Sequence, residues 1–138
     1  MSVESTREVM TRYLNEVKSG KHNISVLAED AVYTDMATGQ ESHGPDEIRA
    51  MLNYFYRTVF EGKPILRTAI FGDNNAVFEG ELTGKHIGEF EGISPTGKEV
   101  RIPMCIVYDL EDDQIKRGRI FFDRSVFLRQ VGVNPAAS

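Results

Sequence analysis

Helical periodicity is confined to about the first 60 positions of this chain, and everything after Pro64 reads as strands punctuated by turn residues. A chain with that order can fold as α+β, and the short turns favour antiparallel meander pairing of its strands. The first helix is expected from about Ser5 to Ser19. Ser5-Thr6-Arg7-Glu8 has capping-box form, Val9, Met10, Tyr13, Leu14 and Val17 share one face, and Gly20 is a suitable stop. A short second helix is expected around Ile24 to Ala28, then a brief strand at Ala31-Val32-Tyr33-Thr34 and a loop from Asp35 to Gly39. The third helix starts near Gly44-Pro45-Asp46-Glu47, where proline fits the first turn and the carboxylates complement the dipole. Its stripe is Ile48, Met51, Leu52, Phe55 and Val59, and Gly62 and Pro64 end it.

Four strands follow, at Ile65–Phe71, Ala76 to about Gly92, Val100–Leu110 and Ile115 to about Phe122. Gly80, Gly84, Gly88 and Gly92 mark bends in the long second one. A sheet bent this strongly would curl around the first and third helices as a half-barrel, leaving a concave space of the kind where small ligands bind. The 138 residues make one domain, and a chain of that length buries about 68% of its unfolded surface.

Charge and cysteine usage remove several function classes. The balance of 16 basic against 21 acidic residues, net −5, disfavours a nucleic-acid partner. The basic cluster Lys116, Arg117, Arg119 stands beside Glu111, Asp112 and Asp113 and reads as a solvated hairpin. A lone cysteine, Cys105, excludes an internal disulfide and a thiolate-rich metal site. No apolar run approaches the ~20 residues that span a bilayer, and Met1-Ser2-Val3-Glu4-Ser5 lacks signal-peptide character, so a cytoplasmic protein without a membrane partner is expected. His22, His43 and His86 have no ligand-like spacing, so no metal is expected.

No phosphate-binding glycine loop, G-x-S-x-G elbow or H-E-x-x-H is present, which leaves isolated polar residues among apolar ones. Asp123 stands between Ile120-Phe121-Phe122 and Val126-Phe127-Leu128. A carboxylate sheltered by such side chains loses solvation, and its pKa rises towards the range of a general acid or base. The same residue can instead cap a terminal helix from Arg124 to Val131, or pair with Arg119 or Arg124. Asp35 ends a strand before a glycine-containing loop, a position suited to a base at a cavity mouth or to an Asx-turn. Tyr13 lies on the buried stripe of the first helix and can donate into the interior or to a backbone partner. His86, in Gly84-Lys85-His86-Ile87-Gly88, is either a site residue or a strand histidine, and Cys105 reads as a small buried hydrophobe.

At these residues the chain resembles the SnoaL-like polyketide cyclases, within the superfamily of nuclear-transport-factor-2-like folds. Thr83-Gly84-Lys85-His86-Ile87-Gly88-Glu89-Phe90 is similar to that family's G-x-H-x-G-x-F segment, and Gly92-Ile93-Ser94-Pro95-Thr96-Gly97-Lys98 to its G-I-x-P-T-G-K turn. Phe121-Phe122-Asp123 is similar to its aromatic-aromatic-Asp strand end, and Leu128-Arg129-Gln130-Val131-Gly132 to its L-x-Q-L-G ending. The resemblance implies a cone-shaped α+β fold with a curved antiparallel sheet, dimeric through that sheet, and a deep apolar pocket with no cofactor. It implies that Asp123 is the acid/base of an intramolecular aldol closure and that His86 is a pocket residue. The implied pocket draws on Tyr33, Met51, Phe55, Phe90, Met104, Cys105 and Phe121.

The N-terminal half, through Arg12-Tyr13-Leu14 and Asp30-Ala31-Val32-Tyr33-Thr34-Asp35, resembles the ketosteroid isomerases. That second resemblance implies an oxyanion donor at Tyr13 and a proton shuttle at Asp35, with Cys105, a weak donor, where those enzymes have an aspartic acid. The expected function is cofactor-independent acid/base chemistry, an aldol-type cyclisation or isomerisation, on an apolar carbonyl-bearing small molecule. The competing expectation is a ligand-binding module of the same fold that catalyses nothing.

Overall fold

The computed structural model describes residues 1–20 and 24–133, so His22 lies outside the described residues. Helix α1 spans Val3–Lys18 and begins earlier than the Ser5 capping box implies, because Ser2 is the cap and its hydroxyl accepts from the Ser5 amide at 3.1 Å. Met10, Tyr13 and Val17 form its buried stripe. The short helix expected at Ile24 does not form. Strand β1 runs Leu27–Asp35 instead, anchored by pairing of Leu27 with Ile115 and by an Ile115 amide bond to the Val26 carbonyl. A three-residue strand β2, Glu41–His43, pairs antiparallel with β1 and was not anticipated.

Helix α2 spans Gly44–Asn53 with Pro45 in its first turn, and the chain continues as a wider π-helical stretch over Tyr54–Val59. Strand β3, Phe60–Phe71, begins at once, so Gly62 and Pro64 lie within it rather than ending a helix. Proline is tolerated there because β3 is an edge strand with one neighbour. Then come β4 (Asn75–His86), β5 (Glu99–Glu111), β6 (Gln114–Phe122) and helix α3 (Arg124–Gln130).

The six strands form one curved, unclosed sheet in the order β2-β1-β6-β5-β4-β3. The last four are the expected antiparallel meander. Strand β1 adds to it in parallel, aligned with β6 from Val32 opposite Arg117 to Asp35 opposite Ile120. Bending is built in at Gly80, which faces a register shift between Leu66 and Thr68. A Cβ on Gly80 would lie 1.9 Å from the Ile65 carbonyl oxygen, so only glycine lets the two strands approach this closely.

The pleat decides what faces inward. Along β5, Val100, Ile102, Met104, Ile106 and Tyr108 point towards the helices, and the core also takes Met10, Ile48, Leu82, Ile115 and Phe127. This is the α+β architecture expected, a curled sheet holding helices in its concavity. Among the described residues no helix is long and apolar enough to cross a membrane.

Candidate functional site

The concave side holds a cavity of about 580 Å³ between β1, α2, the π-helical stretch and the inward faces of β4, β5 and β6. Its walls are apolar and aromatic, with Leu52, Phe55, Leu82, Phe90, Met104, Ile106, Ile120 and Phe122. The wider π turn lets three consecutive residues, Tyr54, Phe55 and Tyr56, all reach the lining. Phe55, Phe90 and Phe122 meet at ring-centroid distances of 5.7 to 6.1 Å. Tyr33 and Asp35 alternate with Thr34 on β1 and so share the inward face.

The polar end is organised by Arg124, the first residue of α3. Its Nη2 donates to Asp35 Oδ2 at 2.5 Å and its Nε to Glu91 Oε1 at 2.7 Å. The guanidinium carbon lies 5.6 Å and 5.7 Å from the ring centres of Phe90 and Phe122, within cation–π range. Burial works against this charge, but the hydrogen bonds to Asp35 and then Glu91 outweigh it and raise the guanidinium pKa. Glu91 reaches Arg124 from a two-residue turn, closed by mutual Phe90–Ile93 backbone bonds, in which it and Gly92 both have positive φ (53° and 74°). Asp35 also accepts the Ala37 amide on Oδ1 at 3.0 Å, so it forms an Asx-turn and lines the cavity at the same time.

Four phenols cluster behind the inner wall of the cavity, of which Tyr33 and Tyr56 belong to its lining. Tyr13, Tyr33, Tyr56 and Tyr108 are buried, and burial lifts the pKa of each above the ordinary phenol value. They are therefore donors at neutral pH, not bases. The Tyr33 hydroxyl is fully enclosed and has no partner of hydrogen-bond geometry among the described residues. Gly118, on β6, makes room for this ring; a Cβ there would come within 2.9 Å of Tyr33 Cδ1 and Cε1. Tyr13 does not line the large cavity but a small adjoining hollow of about 50 Å³.

Of the residues singled out in the sequence, Asp35, Tyr33, Met51, Phe55, Phe90 and Met104 line the cavity. Three expectations are corrected. Asp123 is exposed, not sheltered. Its carboxylate caps α3, accepting from the Ser125 hydroxyl at 2.6 Å and from the Ser125 and Val126 amides at 3.1 and 3.3 Å. Those bonds, the Ser125 hydroxyl foremost, lower its pKa rather than raise it. Cys105 and Phe121 are paired across β5 and β6 on the outer face of the sheet, because the pleat turns Met104 and Phe122 inward.

His86 is fully buried away from the cavity. Its Nδ1 accepts the Thr96 amide at 3.2 Å, and its ring packs on Phe127 at 5.1 Å and Phe60 at 5.8 Å. It fastens the loop between β4 and β5. Sequence reading passed over Arg124 and Glu91 as site residues. The turn pair Glu91-Gly92 and the cation directly after Asp123 were the available signals. Among the described residues no three His, Cys, Asp or Glu side chains are grouped to hold a metal ion.

The described residues thus form a half-barrel whose concave side holds an aromatic cavity with a charged lip. The chain belongs to the SnoaL-like polyketide cyclase family, whose model matches residues 7–131. No curated protein sequence matches it. Among solved structures, a candidate SnoaL-like polyketide cyclase from Jannaschia sp. CCS1 superposes with a TM-score of 0.81 at 19% identity, covering 96% of this chain and 94% of that one. TsrD from Streptomyces laurentii gives 0.80 at 19% identity, covering 96% and 98%. A protein with a ketosteroid isomerase-like fold from Catenulispora acidiphila DSM 44928, solved with trimethylamine, gives 0.77 at 18%, covering 96% and 98%. At such identities the likeness establishes the fold.

Proposed function

We propose that the protein carries out cofactor-independent acid/base chemistry on an apolar, carbonyl-bearing small molecule held in the cavity, with Asp35 as the proton carrier in place of the exposed Asp123. The supporting observation is a carboxylate, Asp35, at the lip of an apolar, aromatic cavity, held in place by Arg124. In this reading Asp35, ion-paired with Arg124, takes a proton from the carbon next to the carbonyl. The electron pair moves onto the carbonyl oxygen, forming the enolate. Glu91 keeps Arg124 partnered while Asp35 is protonated. Asp35 then returns the proton to carbon, or the enolate carbon attacks a second carbonyl of the same molecule, closing a ring as that carbonyl's oxygen takes the proton from Asp35.

The test is hydrogen exchange of 2-tetralone in D₂O. Wild type should exchange the acidic carbon, Asp35→Asn should lose about 10² to 10⁴ in rate, and Asp123→Asn should match wild type. Equal exchange by Asp35→Asn and wild type refutes the assignment. A second reading, binding without catalysis, draws on the ion pair that already engages both Asp35 oxygens or their neighbours; binding of 2-tetralone without exchange would favour it. For assembly, a second copy of the chain is the partner proposed for the outer sheet face, where Phe121 is 47% exposed beside Cys105.

A further inference from the structure

We infer that Met104 sets the depth of the cavity: its side chain is a movable end wall that turns into the hollow beside Gly80 and admits a ligand carrying a slim apolar tail at the end opposite its carbonyl. The inference rests on the cavity being the ligand site with the carbonyl end at Asp35, as proposed above, and adds the shape of the substrate and the residue that selects it.

Two spaces meet at this wall. Leu52, Tyr56, Met104 and Ile106 border both the cavity of about 580 Å³ and the hollow of about 50 Å³ behind it, so one layer of side chains separates the two. The register shows why a hollow is there. Leu66, Gly80, Met104 and Phe122 stand in one row across β3, β4, β5 and β6. Met104 therefore has the Phe122 ring, a cavity wall, on one side and a residue without a side chain on the other. No larger residue can replace Gly80, because the Ile65 carbonyl lies where its Cβ would go. The hollow is thus a consequence of the bend between β3 and β4.

Of the four dividing residues, Met104 is the one built to move. Leu52 and Tyr56 are held in the core at 7% and 9% exposure, and Ile106 is β-branched and stiff at χ1. Methionine is unbranched, with three rotatable bonds and a soft thioether that fills irregular gaps. The hollow is several times larger than the roughly 10 to 15 Å³ that admits a water, so the methylthio end of Met104 fits it. Leu14, Val17, Phe78 and Tyr108, on its far side, supply apolar and aromatic contacts for the sulfur.

The same register bears on the length of the ligand. Asp35 aligns with Ile120 on β6, and Ile120 with Ile106 on β5. Two strand spacings, about 9 to 10 Å, therefore lie between Asp35 and the β5 wall. A two-ring ketone with its carbonyl at Asp35 brings its far ring towards Met104. A slim chain on that ring then enters the space that Met104 leaves, whereas a polar group there would meet only apolar side chains.

The experiment measures the Kd of 2-tetralone and of 6-n-propyl-2-tetralone for the full chain and two variants. Each buried methylene is worth about fourfold in affinity, so the propyl probe should bind wild type about tenfold or more tighter than 2-tetralone. Leu14→Phe fills the hollow from α1 without touching the cavity. It should leave 2-tetralone binding unchanged and cut the propyl gain to about twofold or less. Met104→Ala removes the wall and should keep the gain. The Met104 methyl resonance, assigned by its loss in Met104→Ala, should shift with the propyl probe and far less with 2-tetralone.

Equal propyl gain in wild type and Leu14→Phe, or no gain in wild type, overturns the movable wall while the cavity reading stands. A gain lost in Met104→Ala also overturns it, because the tail would then be packing on the methionine rather than displacing it. If Met104→Ala melts below the assay temperature, Leu14→Phe decides alone. Since the readout is binding, a propyl gain that Leu14→Phe removes, found without any hydrogen exchange, refutes the acid/base reading and supports the wall. Failure of both probes to bind overturns the cavity reading and this inference with it.

Discussion

Replacing Asp123 separates a helix cap from a catalyst, because asparagine removes the acid and keeps the cap, whereas alanine removes both. The carboxylate of Asp123 receives three hydrogen bonds within the first turn of α3, at 2.6, 3.1 and 3.3 Å. Asparagine keeps an acceptor oxygen in the same place and caps about as well, whereas alanine removes it. The orphaned amides lie at an exposed helix start and can turn to water, so the Asp123→Ala loss should be a typical capping value, about 1 kcal/mol. For a domain of this size that is a melting-point drop of about 3 to 5 °C.

The charge adds a pH signature. The folded carboxyl has a lowered pKa, with the Ser125 hydroxyl bond as the main cause. Its stabilising share is therefore present above the unfolded value near ~3.9 and is lost as pH falls through the folded value. Thermal unfolding of wild type, Asp123→Asn and Asp123→Ala from neutral to strongly acidic pH tests this. Asparagine should track wild type at neutral pH and lack the part of the acid decline that Asp123 contributes. A melting point for Asp123→Ala equal to wild type would refute the capping argument. Loss of 2-tetralone exchange in a stable Asp123→Asn would restore the residue to the chemistry.

Arg124→Met strands two half-buried carboxylates. Between the limits for exposed and buried pairs, the expected cost is about 2 kcal/mol by denaturant titration, and Arg124→Met/Glu91→Gln should recover part of it. Gly118→Ala forces a methyl group against the Tyr33 ring, and overpacking should cost about 1 to 3 kcal/mol by denaturant titration. Unchanged stability would show that the ring has room to shift.

The meander was legible because Gly72-Asp73-Asn74-Asn75 and Glu111–Gln114 carry turn chemistry that acts locally. The start of β3 was not. Tyr54–Val59 continues a helical apolar pattern, and Gly62 and Pro64 look like stops until the edge position of their strand is known. The strand at Leu27 is fixed by its pairing with Ile115, a contact no local window contains. The same distinction runs through the site. Asp35 was legible because a strand end before a glycine loop is a local feature. Asp123 misled because apolar neighbours in sequence are not neighbours in space; the pleat sends Phe121 out and Phe122 in, and a helix begins at once. Arg124 reaches Asp35 across 89 positions of chain, which only the parallel joining of β1 and β6 makes short.

That parallel joining has a consequence for biosynthesis. Of the two strands beside β1, β2 follows at once but β6 is the last to be made, so β1 leaves the ribosome with its inner neighbour still untranslated. Until β6 emerges, the greasy wall that will enclose the hollow has no lid and offers a landing place to chaperones. Slow codons ahead of β6 should therefore lengthen the interval in which nascent chains aggregate, whereas the same codons after α3 should not.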